Sequence, residues 1–350
     1  MKPNFRIYNT LRPLGWIYSA VTAMRNRRFD RHPELSARFD IPVISVGNIT
    51  AGGTGKTPHT EYIVSLLKDR YRVSVLSRGY GRHTHGYLLA SPASTSRQIG
   101  DEPRQILTRF PDVDVAVSED RAKGISMLLD TRRPQAVILD DAFQHRRITP
   151  SLNILLVNFN RNILADAMLP AGRLRESIAG RRRADIIIVT KCPTGISQSQ
   201  MDEMASLLAV KPGQQVYFTT LQYGSLYAFD GIGHIPSKDT AVLAVSGIAD
   251  PAPMEAHLQG CFNLVKTMHY PDHHDFTEQD IKKMEQRLDS MPAGSVIVTT
   301  AKDAARFSAP GMSSQLRQRI FILPVQPAFL RDSERFDRTI VNHIETFPKP

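Results

Sequence analysis

The residues with the clearest chemical potential lie in "GNITAGGTGKTPHT", residues 47–60. A phosphate-binding loop needs glycines whose backbone N–H groups face phosphate oxygens, a lysine for the β- and γ-phosphate charge, and a hydroxyl for magnesium. Gly52, Gly53, Thr54 and Gly55 supply the backbone, Lys56 the cation and Thr57 the hydroxyl. The apolar run "PVISV" leads in, and Pro58 falls in the first turn of the helical pattern that follows, where a missing N–H costs nothing. Thr50 stands where the G-x-x-x-x-G-K-[ST] pattern has its first glycine. The phosphate-facing half is complete, and a bare glycine turn has no use for Lys-Thr at that place. A nucleotide is the expected ligand.

A phosphate loop says only that phosphate is bound, so the remaining chemistry must come from acids. "LDDAFQHRR" closes an apolar run with Asp140 and Asp141, the usual place for a carboxylate that holds magnesium directly or through water. Two adjacent acids after "AVIL" repel one another unless a cation is near. "IGDEPRQIL" offers Asp101 and Glu102 at the start of a helical pattern, where acids also satisfy the helix dipole. "YPDHHDF" gathers Asp272, His273, His274 and Asp275. That spacing does not match a zinc site, and a histidine that orients a carboxylate is the better reading.

Positioning these groups requires strands that end beside one another. "IPVISVGN", "YRVSVLSRG", "VDVAVSED", "PQAVILDD", "LNILLVNF" and "ADIIIVTK" are short apolar runs closed by polar residues and separated by helical patterns. Runs apolar on both faces indicate buried parallel strands of an α/β sheet, with ligands at the carboxyl ends. The predicted fold class is therefore α/β. Residues 32–212 form the expected nucleotide-binding domain. "QQVYFTTLQYG" and "SLYAFDG", within 213–236, are expected to pair as a two-stranded connection. A second αβ series fills 237–350.

The 350 residues carry a formal net charge of +10, which points to an anionic partner such as phosphorylated substrate, acidic membrane or nucleic acid. Two cysteines cannot form a disulfide framework. No stretch approaches the roughly 20 consecutive apolar residues that span a bilayer. Charge asymmetry is sharpest at residues 1–31, with Lys2, Arg6, Arg12, Arg25, Arg27, Arg28 and Arg31 against Asp30 alone. There Leu14, Ile17, Val21 and Met24 form one helical stripe beside Trp16. Two readings stand: a helix docked on the protein's own core, or an interfacial helix with its arginines on anionic lipid. "GRRRAD" is basic but lacks aromatic platforms, so nucleic acid is not an expected partner.

"GNITAGGTGKTP", "LSRGYGR", "GDEP", "EDR", "LDDAFQH", "LPAGRLRE", "VSGIADP", "YPDHHDF" and "TTAKDA" occur in an order that resembles the tetraacyldisaccharide 4′-kinase family over nearly the whole chain. The resemblance implies two α/β/α domains, a phosphate-loop domain and a smaller one, joined by a two-stranded ribbon. It implies transfer of the ATP γ-phosphoryl group to the 4′-hydroxyl of a tetraacyl glucosamine disaccharide 1-phosphate in lipid A biosynthesis. The place would be the cytoplasmic face of the inner membrane, with ATP and Mg²⁺ as cofactors and the anionic membrane surface as a partner.

Carried over by motif, Lys56 holds the β- and γ-phosphates over Gly53, Thr54 and Gly55. Thr57, Glu102 and Asp140 bind or position magnesium, with Asp141 beside them. Asp101 acts as base with His273 as its partner, and Arg121 and Arg175 lie near the phosphates or the lipid head. Three departures stand out: Arg173 and Ser177 in "LPAGRLRES", Ala301 where the family commonly has glutamate, and Ala142 where glycine is frequent. A switch-type ATPase is the rival reading, but its loop carries a lysine where this chain has Ala51.

Overall fold

A computed structural model describes residues 7–161, 163–231, 235–248, 250–272, 274–307 and 312–348. The strands are β1 Val43–Asn48, β2 Val73–Ser77, β3 Leu88–Leu89, β4 Asp114–Val117, β5 Ala136–Asp140, β6 Leu152–Asn158, β7 Ile186–Thr190, β8 Gln215–Tyr223, β9 Tyr227–Ala228, β10 Ala241–Ser246, β11 Asn263–His269, β12 Val296–Thr300, β13 Ile320–Leu323 and β14 Val325–Phe329. The helices are α1 Arg12–Arg31, α2 Lys56–Leu67, α3 Ser96–Ile99, α4 Asp101–Arg109, α5 Arg121–Thr131, α6 Gln198–Leu207, α7 Ala252–Cys261, α8 Glu278–Asp289, α9 Ala301–Ala304, α10 Ser314–Gln318 and α11 Ser333–Glu345.

Two sheets result. The larger runs β14-β8-β7-β6-β1-β5-β2-β4-β3, and its six strands from β7 to β4 are mutually parallel. All six apolar runs singled out in the sequence are these strands. β1, which launches the phosphate loop, lies between β5 and β6, so the loop faces Asp140 at the end of β5. One sheet face packs Ile44, Val75 and Ile138 against Ile63 and Leu67 of α2 and Ile106 of α4; the other packs Val137 and Leu139 against Ile125 and Leu128 of α5. The smaller sheet, β11-β10-β12-β13-β9, is likewise covered on both faces, by α8 (Ile281, Met284) and by α7 (Met254, Leu258).

The connection between the sheets differs from the expected pairing within 213–236. β8 pairs β7 through Phe218; beyond that it pairs antiparallel with β14, from Thr219↔Phe329 to Tyr223↔Val325. β9 instead edges the smaller sheet against β13. The ribbon is therefore made by strands about a hundred residues apart in sequence. The chain also returns after it: α11 buries Phe336 and Ile340 in the core of the larger sheet. Each such side chain contributes about 1.5–3 kcal/mol by leaving water, which is ample reason for residues 325–348 to pack there rather than with the rest of 237–350.

The stripe on α1 points outward. Leu14, Ile17 and Val21 are exposed, Trp16 at 70% and Met24 at 68%. The docked face is small and polar: Gly15 lies against the Met168 carbonyl, the Tyr18 hydroxyl donates to Arg175 O (3.1 Å), Thr22 is buried, and Asn26 Nδ2 donates to Glu176 Oε2 (3.2 Å). The apolar stripe is therefore not the docking face: α1 docks through small and polar residues, and the stripe faces solvent. Among the described residues no helix is long and apolar enough to cross a membrane.

Close packing under the loop gives a first testable consequence. A Cβ on Gly47 would sit 2.7 Å from Phe143 Cβ and 2.9 Å from Phe143 N. Backbone on one side leaves no room to yield, so Gly47→Ala is expected to cost about 1–3 kcal/mol of stability, read as a lower denaturant midpoint at unchanged slope. An unchanged midpoint would mean the strand shifts freely.

Candidate active site

The loop's unusual entrance has a structural explanation. Thr50 forms an antiparallel bridge with Leu174, Ala51 N donates to Arg173 O (2.7 Å) and Arg175 N donates to Ile49 O (2.8 Å). Extended backbone suits any residue, so no glycine is needed there. The left-handed positions come later, at Gly52 (φ 96°) and Gly55 (φ 83°), where glycine carries no steric cost.

The loop is braced from beneath. Asn48 Nδ2 donates to Thr54 Oγ1 (2.7 Å) and Thr190 Oγ1 donates to Thr54 O (2.9 Å). His59 Nδ1 lies 2.7 Å from Gly55 O, which can only accept, so Nδ1 carries the proton and Nε2 accepts from Thr219 Oγ1 at 3.1 Å. Burial lowers this imidazole to about 4, which keeps it neutral. The ribbon strand β8 thereby holds the loop through a histidine.

Above the loop, the strand-end acids and cations converge. Arg175 Nη1 donates to both oxygens of Asp141, at 3.1 and 2.9 Å, and Lys56 Nζ lies 3.5 Å from the same carboxylate. Asp141 takes a left-handed backbone (φ 49°), turning the chain at the end of β5. Arg121 is buried at the start of α5 and reaches Asp141 O (3.4 Å). Burial, then the neighbouring Arg78, lowers its guanidinium to about 10, opposed by Asp141, Asp140 and Glu119.

Asp140 is the buried acid. Thr60 Oγ1 donates to it at 3.0 Å. Burial first, then the charges of Asp141 and Glu102, raise it to about 7 against the pull of Lys56 and Thr60. A cation beside it would reverse that balance. Thr57 on α2 and Glu102 on α4 add oxygen donors of the hard kind magnesium takes. Among the described residues no three His, Cys, Asp or Glu side chains stand close enough to hold a metal by themselves. Magnesium usually needs only one or two carboxylates plus phosphate oxygens, so this donor set fits it.

α4 brings its acids to the cleft because α2 holds it. The buried Glu61 of α2 accepts from Gln105 Nε2 (2.8 Å) and pairs with Arg109. Burial raises Glu61, and Arg109 opposes that shift. Asp101 opens α4 after Gly100 (φ 92°), and its Oδ2 accepts from Arg306. His273 lies outside the described residues. Its neighbour Asp272 accepts from Lys302 Nζ (3.0 Å), while His274 pairs with Asp280 (3.0 Å) at the start of α8.

Three cations were not singled out in the sequence. Arg161, after β6, crowds Gly52: a Cβ there would meet its Nη1 at 2.6 Å. Lys191, just after β7, has its Nζ 3.8 Å from where a Gly53 Cβ would be. The third, Arg306, follows α9 and reaches Asp101. The signal for Lys191 was its place at a strand's polar tail; Arg161 and Arg306 had none.

A family model described as tetraacyldisaccharide-1-P 4′-kinase matches residues 7–345. The chain belongs to this family. A tetraacyldisaccharide 4′-kinase of Phocaeicola vulgatus is 44% identical over 97% of this chain and 96% of its own length; one of Porphyromonas gingivalis is 40% identical over 94% and 95%. Among solved structures, LpxK of Aquifex aeolicus, crystallised in complex with ATP, aligns with a TM-score of 0.76 at 30% identity over 97% of this chain and 99% of that one. As a member of the family the chain is an ATP-dependent kinase that phosphorylates the 4′ position of the lipid A disaccharide precursor. The α/β class and the phosphate-loop architecture expected from the strand pattern agree with that neighbour.

Proposed function

We propose that transfer takes place where Lys56, Arg175 and Asp141 meet beside Asp140, at the carboxyl ends of β1 and β5. The observation that carries this reading is the Arg175–Asp141–Lys56 chain of contacts directly above the loop. Gly52, Gly53, Thr54 and Gly55 offer backbone donors to ATP, and Lys56 neutralises the β- and γ-phosphates. Arg175 and Arg121 offset charge as the phosphoryl group leaves. Thr57, Asp140 and Glu102 are the residues that would hold Mg²⁺, with Asp141 beside them. That ion neutralises phosphate charge and orients the γ-phosphate when bound.

A sugar hydroxyl is a poor nucleophile at neutral pH, and a carboxylate that accepts its proton late in transfer helps. Asp101 is assigned that role, with His273 of "YPDHH" as its partner by motif. The two sheets act as two domains, and closing them brings acceptor and donor together. The deciding experiment supplies γ-labelled ATP and a tetraacyl disaccharide 1-phosphate. Label on the lipid, one per ATP consumed, is the expected result; label released only as inorganic phosphate would favour the switch-type reading.

The substrate's acyl chains bring in the membrane. Each methylene exposed to water costs about 0.8 kcal/mol, so the enzyme comes to the lipid. α1 presents Trp16, Ile17 and Met24 to solvent beside exposed Arg25, Arg27 and Arg28, the composition of a helix lying at a headgroup boundary. We assign it as the contact with the anionic cytoplasmic face of the inner membrane, a peripheral attachment. Replacing Trp16 and Ile17 with serine should weaken binding to anionic vesicles even at low salt. Replacing the three arginines should mainly remove the salt dependence, each contributing about 1 kcal/mol. Binding that survives both sets of changes would place the anchor elsewhere.

A further inference from the structure

The segment "TTAKDAARF", residues 299–307, has Ala301 where the resemblance leads one to expect glutamate, yet its side chains tie several parts of the cleft together. Thr300 Oγ1 (2.7 Å) and Gly247 N (3.0 Å) both donate to Asp303 Oδ2, which fixes the turn after β12 to the turn after β10. Lys302 reaches Asp272 of the "YPDHHDF" turn. Arg306 then crosses to the other sheet's unit: its Nε and Nη2 lie 2.9 and 2.5 Å from Asp101 Oδ2, and its Nη1 3.5 Å from Asp303 Oδ1.

We propose that Arg306 is a positioning residue for Asp101, a guanidinium fork from the smaller unit that fixes the carboxylate's direction at the mouth of α4. The proposal rests on reading Asp101 as the proton acceptor.

The geometry supports a positioning role in three ways. The Arg306 side chain is only 2% exposed, so water competes little for its donors. Its Nη1 also lies 3.5 Å from Oδ1 of Asp303, whose side chain is fully buried, so a second carboxylate attracts the guanidinium from its own unit. Both bonds end on Oδ2, so a proton taken at Oδ1 breaks neither. The same segment that reaches Asp272 beside His273 therefore also aims Asp101. Bringing the smaller unit onto α4 completes the acceptor side of the cleft as one event, which suits a kinase that must not spend ATP on water. Lysine replaces the fork only in part, since a single ammonium keeps the charge but lacks the planar pair of donors.

The test compares Arg306→Ala, Arg306→Lys, Asp101→Ala and the Arg306→Ala/Asp101→Ala double variant in transfer to the lipid acceptor. A misplacement of about 1 Å at a reacting group costs about 10²-fold. Arg306→Ala is therefore expected to lower kcat by roughly 10- to 100-fold with ATP Kd unchanged, and Arg306→Lys to recover part of the loss. In the Asp101→Ala background, removing Arg306 should cost less than threefold, because nothing remains to be aimed. Equal losses in both backgrounds, or an Arg306→Ala enzyme at full kcat, would overturn the proposal while leaving Asp101's role intact. A near-normal Asp101→Ala enzyme would overturn the reading of Asp101 and this proposal with it. Should Arg306→Ala fail to fold, Arg306→Lys decides: it keeps the buried charge, and full kcat in that variant shows that the fork is dispensable.

Discussion

Lys56→Ala is expected to lose nearly all phosphoryl transfer while keeping its fold. Lys56 opens α2 from the phosphate loop, and its ammonium lies beside Asp141 rather than in any hydrophobic cluster, so no packing is lost with it. The loop's own bracing runs through Thr54, Asn48, Thr190 and His59, none of which touches the lysine's charge. On the proposed assignment, what disappears is a full positive charge for the β- and γ-phosphates, carried by a side chain only 16% exposed. Losing a single preorganised donor in such a place costs about 10²–10³ in kcat, and a formal charge is worth at least that. Arginine is not a remedy, because a broad planar fork does not fill the place of a compact ammonium. The measurement is label transfer at saturating ATP, with thermal unfolding as the control. A near-normal kcat would remove the phosphate-loop assignment, whatever the loop's shape.

The core of this design was legible because it is written in contiguous residues. Each parallel strand is buried on both faces and reads as an unbroken apolar run, and the loop and both acid pairs follow such runs or open helices directly. What sequence could not show was pairing at a distance. β8 has its ribbon partner in β14, whose "VQPAF" carries Pro327 and looks like a poor strand. Proline is tolerated there because β14 is an edge strand with one side unpaired. Thr50 looked like a defect until its bridge to Leu174 showed that the position is extended. On α1 the apolar stripe drew the eye, while the face that docks is made of Gly15, Tyr18, Thr22 and Asn26, whose partners lie some 150 residues away. Arg161, Lys191 and Arg306 share that obscurity. In a chain with 44 lysines and arginines, one more cation carries no signal until the fold delivers it to a loop or an acid.

Asp101→Asn separates chemistry from architecture better than alanine does. Asp101 is at once the first residue of α4, where the helix dipole favours a carboxylate, and the partner of the buried Arg306. Alanine removes the proton acceptor but also takes a carboxylate away from the buried Arg306, which keeps Asp303 at 3.5 Å, and losing such a contact destabilises in its own right. A drop in activity could then reflect a loosened interface alone. Asparagine keeps the shape and one oxygen that can accept from the Arg306 fork, yet it cannot take a proton from the sugar hydroxyl. If Asp101 is the base, Asp101→Asn should lower kcat by roughly 10²–10⁴, the range for losing general-base assistance, with ATP affinity largely kept and thermal stability closer to wild type than in the alanine variant. Three readouts therefore have to move independently: transfer rate, ATP Kd and unfolding midpoint. Collapse of ATP affinity with kcat preserved at saturation would make Asp101 a metal or structural group. Wild-type kcat in the asparagine enzyme would mean that proton acceptance belongs to another residue, and that the Arg306 contact serves only to hold the two units together.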